Sequence, residues 1–438
     1  MRQHCAALAG AALIWAAAAA PASAQVIETR PFPGLFGSGD PAKSVTQVDF
    51  QSFVAGGYET STSSLGDGAF GSSTGDTTFG NLVFRGRVAH KGRRTNFGAD
   101  AGATTSYYDT TGEMSPFNLS AGAFLNGTMG RHASFALRQT VSYSPYFAFT
   151  TVTSDVPAEA EFDPVADADS SVDPHVDQRV LRLSTKSYSS SANLSRRVGR
   201  EGSLFASYGL TYTDYARGAF DALGQFPRAG YRRKLSRFGS FVASYGLQTY
   251  EYRNSGYPRL TSHNVSVGLG YDRPLSIWRR TTVGFNVSTA LVGNGTTTSA
   301  HVNGTARLHR RFGRTWIAGV TYLRGQQVLE GFAIPFFTFS DSVAATFAGR
   351  LPRDIALSGR LSYSHNRFSI AELDNTSNTL GGSARIQVPV MWALAVDVES
   401  YFSDYDFQRR LGLLEGIPLS LDRVGVRAGL TVSVPVYR

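Results

Sequence analysis

Residues 424–437, Val-Gly-Val-Arg-Ala-Gly-Leu-Thr-Val-Ser-Val-Pro-Val-Tyr, alternate with a period of two. Val424, Val426, Ala428, Leu430, Val432, Val434 and Val436 fall on one side. Gly425, Arg427, Gly429, Thr431, Ser433 and Tyr437 fall on the other. Successive side chains of a strand point to opposite faces, so this stretch has one oily face and one polar face. The same period returns in segment after segment from about residue 45. Phe97, Ala99, Ala101 and Ala103 oppose Asn96, Gly98, Asp100 and Gly102, while Val265, Val267, Leu269 and Tyr271 oppose Ser266, Gly268 and Asp272. Val283, Phe285 and Val287 oppose Gly284, Asn286 and Ser288, and Trp392, Leu394, Val396 and Val398 form a further oily row. The polar phases are rich in glycine and serine, which would give a water-soluble β-sandwich little volume to pack. A closed barrel that turns its oily rows to lipid and its polar rows to an aqueous lumen has no such difficulty.

Residues 1–24 have the three parts of a secretory signal. Arg2 is the positive start, Ala6 to Ala20 form the apolar core, and Ala22-Ser23-Ala24 is a small-residue cleavage site. Cys5, the only cysteine, lies inside this signal, so the mature chain has no disulfide, cysteine nucleophile or thiolate metal ligand. Beyond the signal no run of eighteen apolar residues offers a spanning helix. Residues 25–44, rich in proline and glycine, read as a flexible periplasmic lead-in, and residues 45–438 as the barrel with its external loops.

Composition alone does not separate a soluble chain from a membrane barrel, since 42% apolar residues suit either. The 46 glycines, 29 phenylalanines and 20 tyrosines fit short strands, tight turns and aromatic girdles. The formal charge of +9 suits a basic lumen or contact with acidic lipid headgroups; for an exported chain it does not indicate nucleic acid.

The expected fold class is all-β, a transmembrane up-and-down antiparallel β-barrel of about eighteen strands. Expected hairpins pair 45–61 with 78–90, 95–108 with 116–129, 133–149 with 180–196, and 202–216 with 226–236. They continue as 240–253 with 261–273, 280–293 with 299–311, 315–329 with 334–348, 354–367 with 378–389, and 391–405 with 419–437. Sixteen strands is the alternative count, because 226–236 and 330–348 are ambiguous. Every second connection is short and basic, as in Gly130-Arg131-His132 and Arg196-Arg197-Val198-Gly199-Arg200. The intervening ones are longer or more variable, such as 62–77, 150–179 and 406–418. Short periplasmic turns alternating with external loops are what such a barrel requires.

This architecture resembles outer-membrane barrels of the broad porin-like group of Gram-negative bacteria. The resemblance covers nearly all of the mature chain and rests on no specific motif. It implies outer-membrane lipids, lipopolysaccharide and the barrel-assembly machinery as partners, and small hydrophilic solutes as cargo. Such barrels often finish on an aromatic residue; this chain departs from that with Tyr437-Arg438.

By alternation, the polar phase places Arg85, Arg87, Arg138, Arg182, Lys186, Arg307, Arg360, Arg385 and Arg427 on the lumen wall, with Asp397 and Glu399 among the fewer acids. In one reading these charges pair and hydrate the wall; in the other they attract anions or orient polar solutes. Segment 150–179 carries Asp155, Glu159, Glu161, Asp163, Asp167, Asp169, Asp173 and Asp177 with no lysine or arginine before Arg179. It is either a solvated surface loop or, as the porin resemblance implies, a loop folded inward to form a constriction. No zinc motif, nucleophile elbow or phosphate loop is present, so no catalytic residue, metal site or cofactor is expected. Cleavage before Gln25 would remove 24 of the 438 residues and leave 414, an outcome that intact-mass measurement of the exported chain will check.

Overall fold

The computed structural model describes residues 46–63, 75–92, 94–109, 113–114, 117–145, 147–148, 179–181, 184–215, 221–253, 259–274, 280–293, 298–313, 315–329, 336–370, 373–407 and 420–437. Its long strands are β1 (Thr46–Ser63), β2 (Gly75–Lys91), β3 (Thr95–Tyr108), β4 (Asn118–Met129), β5 (Ala133–Ser144) and β6 (Thr185–Val198). Next come β7 (Gly202–Tyr215), β8 (Asp221–Lys234), β9 (Gly239–Arg253), β10 (Leu260–Pro274), β11 (Thr281–Gly293) and β12 (Thr298–Phe312). The last are β13 (Trp316–Leu329), β14 (Phe336–Arg350), β15 (Ala356–Ile370), β16 (Leu373–Met391), β17 (Leu394–Phe407) and β18 (Ser420–Tyr437). Each pairs antiparallel with the next, and β18 pairs back onto β1 from Val48 opposite Tyr437 to Ser63 opposite Leu421. The result is a closed eighteen-stranded barrel. Closure matters because an open strand edge leaves a row of N–H and C=O groups without partners, at a cost of several kcal/mol each in hydrocarbon.

The strand order follows the expected hairpins, with two local differences. The eighth strand begins at Asp221 rather than near residue 226. Pro227 sits inside it without an N–H, and the β8–β9 register skips Phe226 and Pro227 while β7 still pairs with both. The long fifth and sixth strands stop at Ser144 and Thr185; beyond them Phe147–Ala148 pairs with Arg179–Leu181 as a separate two-stranded ribbon.

Short turns such as 130–132, 199–201 and 235–238 gather at one end of the barrel, with the start of β1 and the finish of β18. Gly130 and Gly199 take φ of +71° and +70°, the left-handed geometry that lets two strands reverse in so few residues. The strand ends that precede and follow the longer connections face the opposite way.

Burial is inverted relative to a protein folded in water. Val54, Leu269 and Val302 are 53%, 54% and 55% exposed, whereas Glu59, Asp397, Glu399 and Arg427 are 4%, 2%, 4% and 5% exposed. Register accounts for this. Rows such as Leu204-Ala206-Tyr208, Val265-Val267-Leu269 and Leu357-Leu361-Tyr363 point outward, and glycine, serine, asparagine and arginine alternate with them inward. On the loop side the oily belt ends at outward tyrosines bonded to polar neighbours. Tyr363 donates to Asn378 Oδ1 at 3.2 Å, Tyr322 donates to Asp341 Oδ1 at 2.7 Å, and Tyr245 Oη lies 2.7 Å from His263 Nδ1. Amphipathic tyrosines mark a water–lipid boundary. Among the described residues, no helix is long and apolar enough to cross a membrane.

Val287→Arg sets a guanidinium in the oily belt and should cost about 2–4 kcal/mol. Asn286→Arg, on the adjacent inward position, should stay within about 0.5 kcal/mol of the parent. Urea unfolding of the two variants in lipid vesicles compares them directly.

Candidate functional site

The pairing register fixes which phase of each strand lines the lumen. Arg85 and Arg87 on β2 stand opposite Gln51 and Asp49 of β1, on the phase shared with Glu59, and opposite Gly102 and Asp100 of β3. Arg138 of β5 pairs in register with Phe124 and Ser191, Arg307 of β12 with Gly284 and Thr321, and Arg360 of β15 with Thr346 and Ser383, all on the phase away from the exposed apolar rows. Arg385, Asp397, Glu399 and Arg427 share that inward phase on β16, β17 and β18. Lys186 does not. It stands opposite Tyr143 and Asp214 on the outward phase of β6, the phase of Leu194 and Val198. Its strand gives a weak parity signal, because Ser187, Ser189, Ser190 and Ser191 place the same residue type on both faces. Arg182 lies outside the described residues, as do Asp155, Glu159, Glu161, Asp163, Asp167, Asp169, Asp173 and Asp177.

The inward charges of β16–β18 and β1 form one connected network. Arg385 donates from Nε and Nη2 to Asp397 Oδ1 at 2.9 and 2.6 Å, and Thr431 donates to the other oxygen of Asp397. Arg427 donates from Nε and Nη2 to Glu399 Oε2 at 3.0 and 2.6 Å, with its guanidinium carbon 5.5 Å from the Phe53 ring centroid. Arg423 donates likewise to Glu59 Oε1 at 2.9 and 2.6 Å, and the Tyr401 hydroxyl donates to Glu59 Oε2 at 2.7 Å. Three guanidiniums therefore meet three carboxylates, and this stretch of wall is electrically neutral. Charge-assisted forks of this kind hold geometry strongly once the ions are desolvated together.

Alternation finds half of this network and misses Glu59, Tyr401 and Arg423. Their signal was present, since Arg423 precedes Arg427 by four residues on one phase, but their partnership joins the two ends of the barrel chain. Glycines opposite make room for the large side chains. A Cβ at Gly425 would lie 2.5 Å from Tyr401 Cζ, and one at Gly57 would lie 2.5 Å from Phe79 Cζ.

A second basic patch lies on the far wall, half the barrel's strands away. Arg228 donates to Ser244 Oγ from Nε at 3.2 Å and from Nη2 at 3.0 Å. Arg228 and Arg232 stand 5.7 and 6.0 Å from the Phe205 ring centroid. These inward arginines fall in the segment made ambiguous by Pro227. Both guanidiniums pack against the Phe205 ring, and Arg228 is held by a hydroxyl as well.

His301 and His309 share the inward phase of β12, eight residues apart. Among the described residues no group of three histidine, cysteine, aspartate or glutamate side chains is placed to hold a metal ion.

No family description matches the chain, and no curated protein matches it. Solved structures of similar outline exist. Pseudomonas aeruginosa OpdQ is 10% identical with a TM-score of 0.45, over 90% of this chain and 98% of that one. Acinetobacter baumannii OccAB4 is 11% identical with a TM-score of 0.43, over 90% and 100%. The outer membrane protein opdK from Pseudomonas aeruginosa is 10% identical with a TM-score of 0.42, over 88% and 99%. At these values the likeness is one of outline and carries no functional argument.

Glu59→Ala leaves Arg423 without its carboxylate and should destabilise the barrel by about 3–5 kcal/mol. Glu59→Gln combined with Arg423→Met should recover most of that loss. The urea midpoint of heat-modifiable, folded protein reads both effects.

Proposed function

We propose that this chain is a passive channel in the outer membrane of a Gram-negative cell, passing small hydrophilic solutes with no chemical step and with a preference for anionic or polar ones. The observation that carries the reading is the inverted burial: oily rows ring the outside while arginine, serine and asparagine line the inside. Barrels of sixteen to eighteen strands are wide enough to hold an aqueous path. Among the described residues of the inward phase, arginines outnumber carboxylates once the three neutral pairs of the seam are set aside, and that surplus favours anions. Lys186 has no part in this wall. Lipids, lipopolysaccharide and the assembly machinery are the partners such a location implies.

A second reading is a closed structural barrel. It draws on the near-complete shielding of Asp397, Glu399 and Arg427 from solvent. Planar-bilayer recording separates the two, since an open channel gives stepwise currents and a closed barrel gives none. In the channel, Arg85→Glu with Arg87→Glu should move the reversal potential under a salt gradient toward cation selectivity. An unchanged potential overturns the role given to this pair.

A further inference from the structure

At the turn end, Arg196, Arg233 and Arg310 stand on the outward phase, each between larger side chains of its own row. Arg196 lies between Leu194 and Val198 on β6, Arg233 between Tyr231 and Leu235 at the end of β8, and Arg310 between Leu308 and Phe312 on β12. All three are at the turn end of the barrel, where the oily belt stops. A guanidinium costs little at that depth if its stem lies along the belt and its head reaches the headgroup layer. Arg310 is answered by its own strand, with its guanidinium carbon 4.8 Å from the Phe312 ring centroid. Arg196 and Arg233 are exposed, and among the described residues neither has an ion-pair partner.

Strand β7 runs between these two, and two strand spacings with a two-residue offset put their backbones roughly 12 Å apart. On β7, Leu204 stands opposite Arg196 and Gly202 opposite Arg233. Gly202 leaves space that its neighbour fills: a Cβ there would lie 2.7 Å from Tyr231 Oη. The Tyr231 hydroxyl therefore leans from β8 over β7 beside Gly202, between the strands that carry Arg196 and Arg233. Exposed Leu194, Leu204 and Leu235 surround the group. The neighbouring turns add Arg200 and Arg237 against a single carboxylate, Glu201.

We propose that Arg196, Tyr231 and Arg233 bind the phosphate of an anionic phospholipid in the leaflet at the turn end. A phosphodiester accepts hydrogen bonds from guanidinium and hydroxyl donors, and its acyl chains lie along the three leucines. The local excess of cations selects a headgroup with net negative charge over a zwitterionic one. The site rests on the membrane placement given above.

Native mass spectrometry of the folded barrel in detergent, titrated with phosphatidylglycerol or phosphatidylcholine, tests the site. Wild type is expected to prefer phosphatidylglycerol by roughly thirtyfold, the equivalent of about 1 kcal/mol for each arginine. Arg196→Gln with Arg233→Gln should abolish that preference, and Arg310→Gln should keep it. If the double variant does not fold, each single variant carries the test, with an expected loss of about fivefold. Retained preference in the arginine variants, equal loss in Arg310→Gln, or displacement of the lipid by inorganic phosphate at similar concentration overturns the site. A mature chain that stays soluble without detergent overturns the membrane placement instead.

Discussion

The structure depends on one hydrogen-bonded ladder returning to its start. Strands β1 and β18 pair along most of their length, so the sheet has no free edge. A two-faced sheet with oily residues outside and charges inside is unstable as an open layer in any single solvent. Closed, it divides space into two, and each face meets the medium that suits it. The alternation along every strand, the inverted burial and the tyrosine border all follow from that division.

The polarity of the inner surface is not uniform around the circumference. On the seam side, Arg385, Arg423 and Arg427 are matched by Asp397, Glu59 and Glu399 through short forked hydrogen bonds. On the opposite side, Arg228 and Arg232 lean on Phe205 and Ser244. The first arrangement cancels its own field and holds side chains in place. The second sets guanidiniums against an aromatic ring and a hydroxyl.

How much of this was legible in the amino-acid sequence depended on the contrast between phases. Residues 424–437 fixed their own orientation because valine and glycine or arginine never trade places. Arg85 and Arg87 were placed by Leu82, Phe84 and Val88 around them, and the register puts both on the inward phase. Lys186 was misplaced because the serines beside it carry no contrast. The start of β8 was obscured by Pro227, which looks like a strand breaker until its missing N–H is seen to fall at a gap in one ladder only. Arg423 shared the readable phase of Arg427, but its pairing with Glu59 had no local signal, since 364 positions separate the two. The gap that Gly202 leaves for the Tyr231 hydroxyl likewise needs the β7–β8 register before it can be noticed.

That separation has a consequence for biogenesis. Loop-closure entropy is met before a contact between chain ends rewards it, so the Glu59–Arg423 clamp belongs to the final event of folding. Until β18 arrives, Glu59 has no guanidinium and β1 has an open flank. A chain without β18 therefore lacks both the partner that shields Glu59 and the ladder that closes β1.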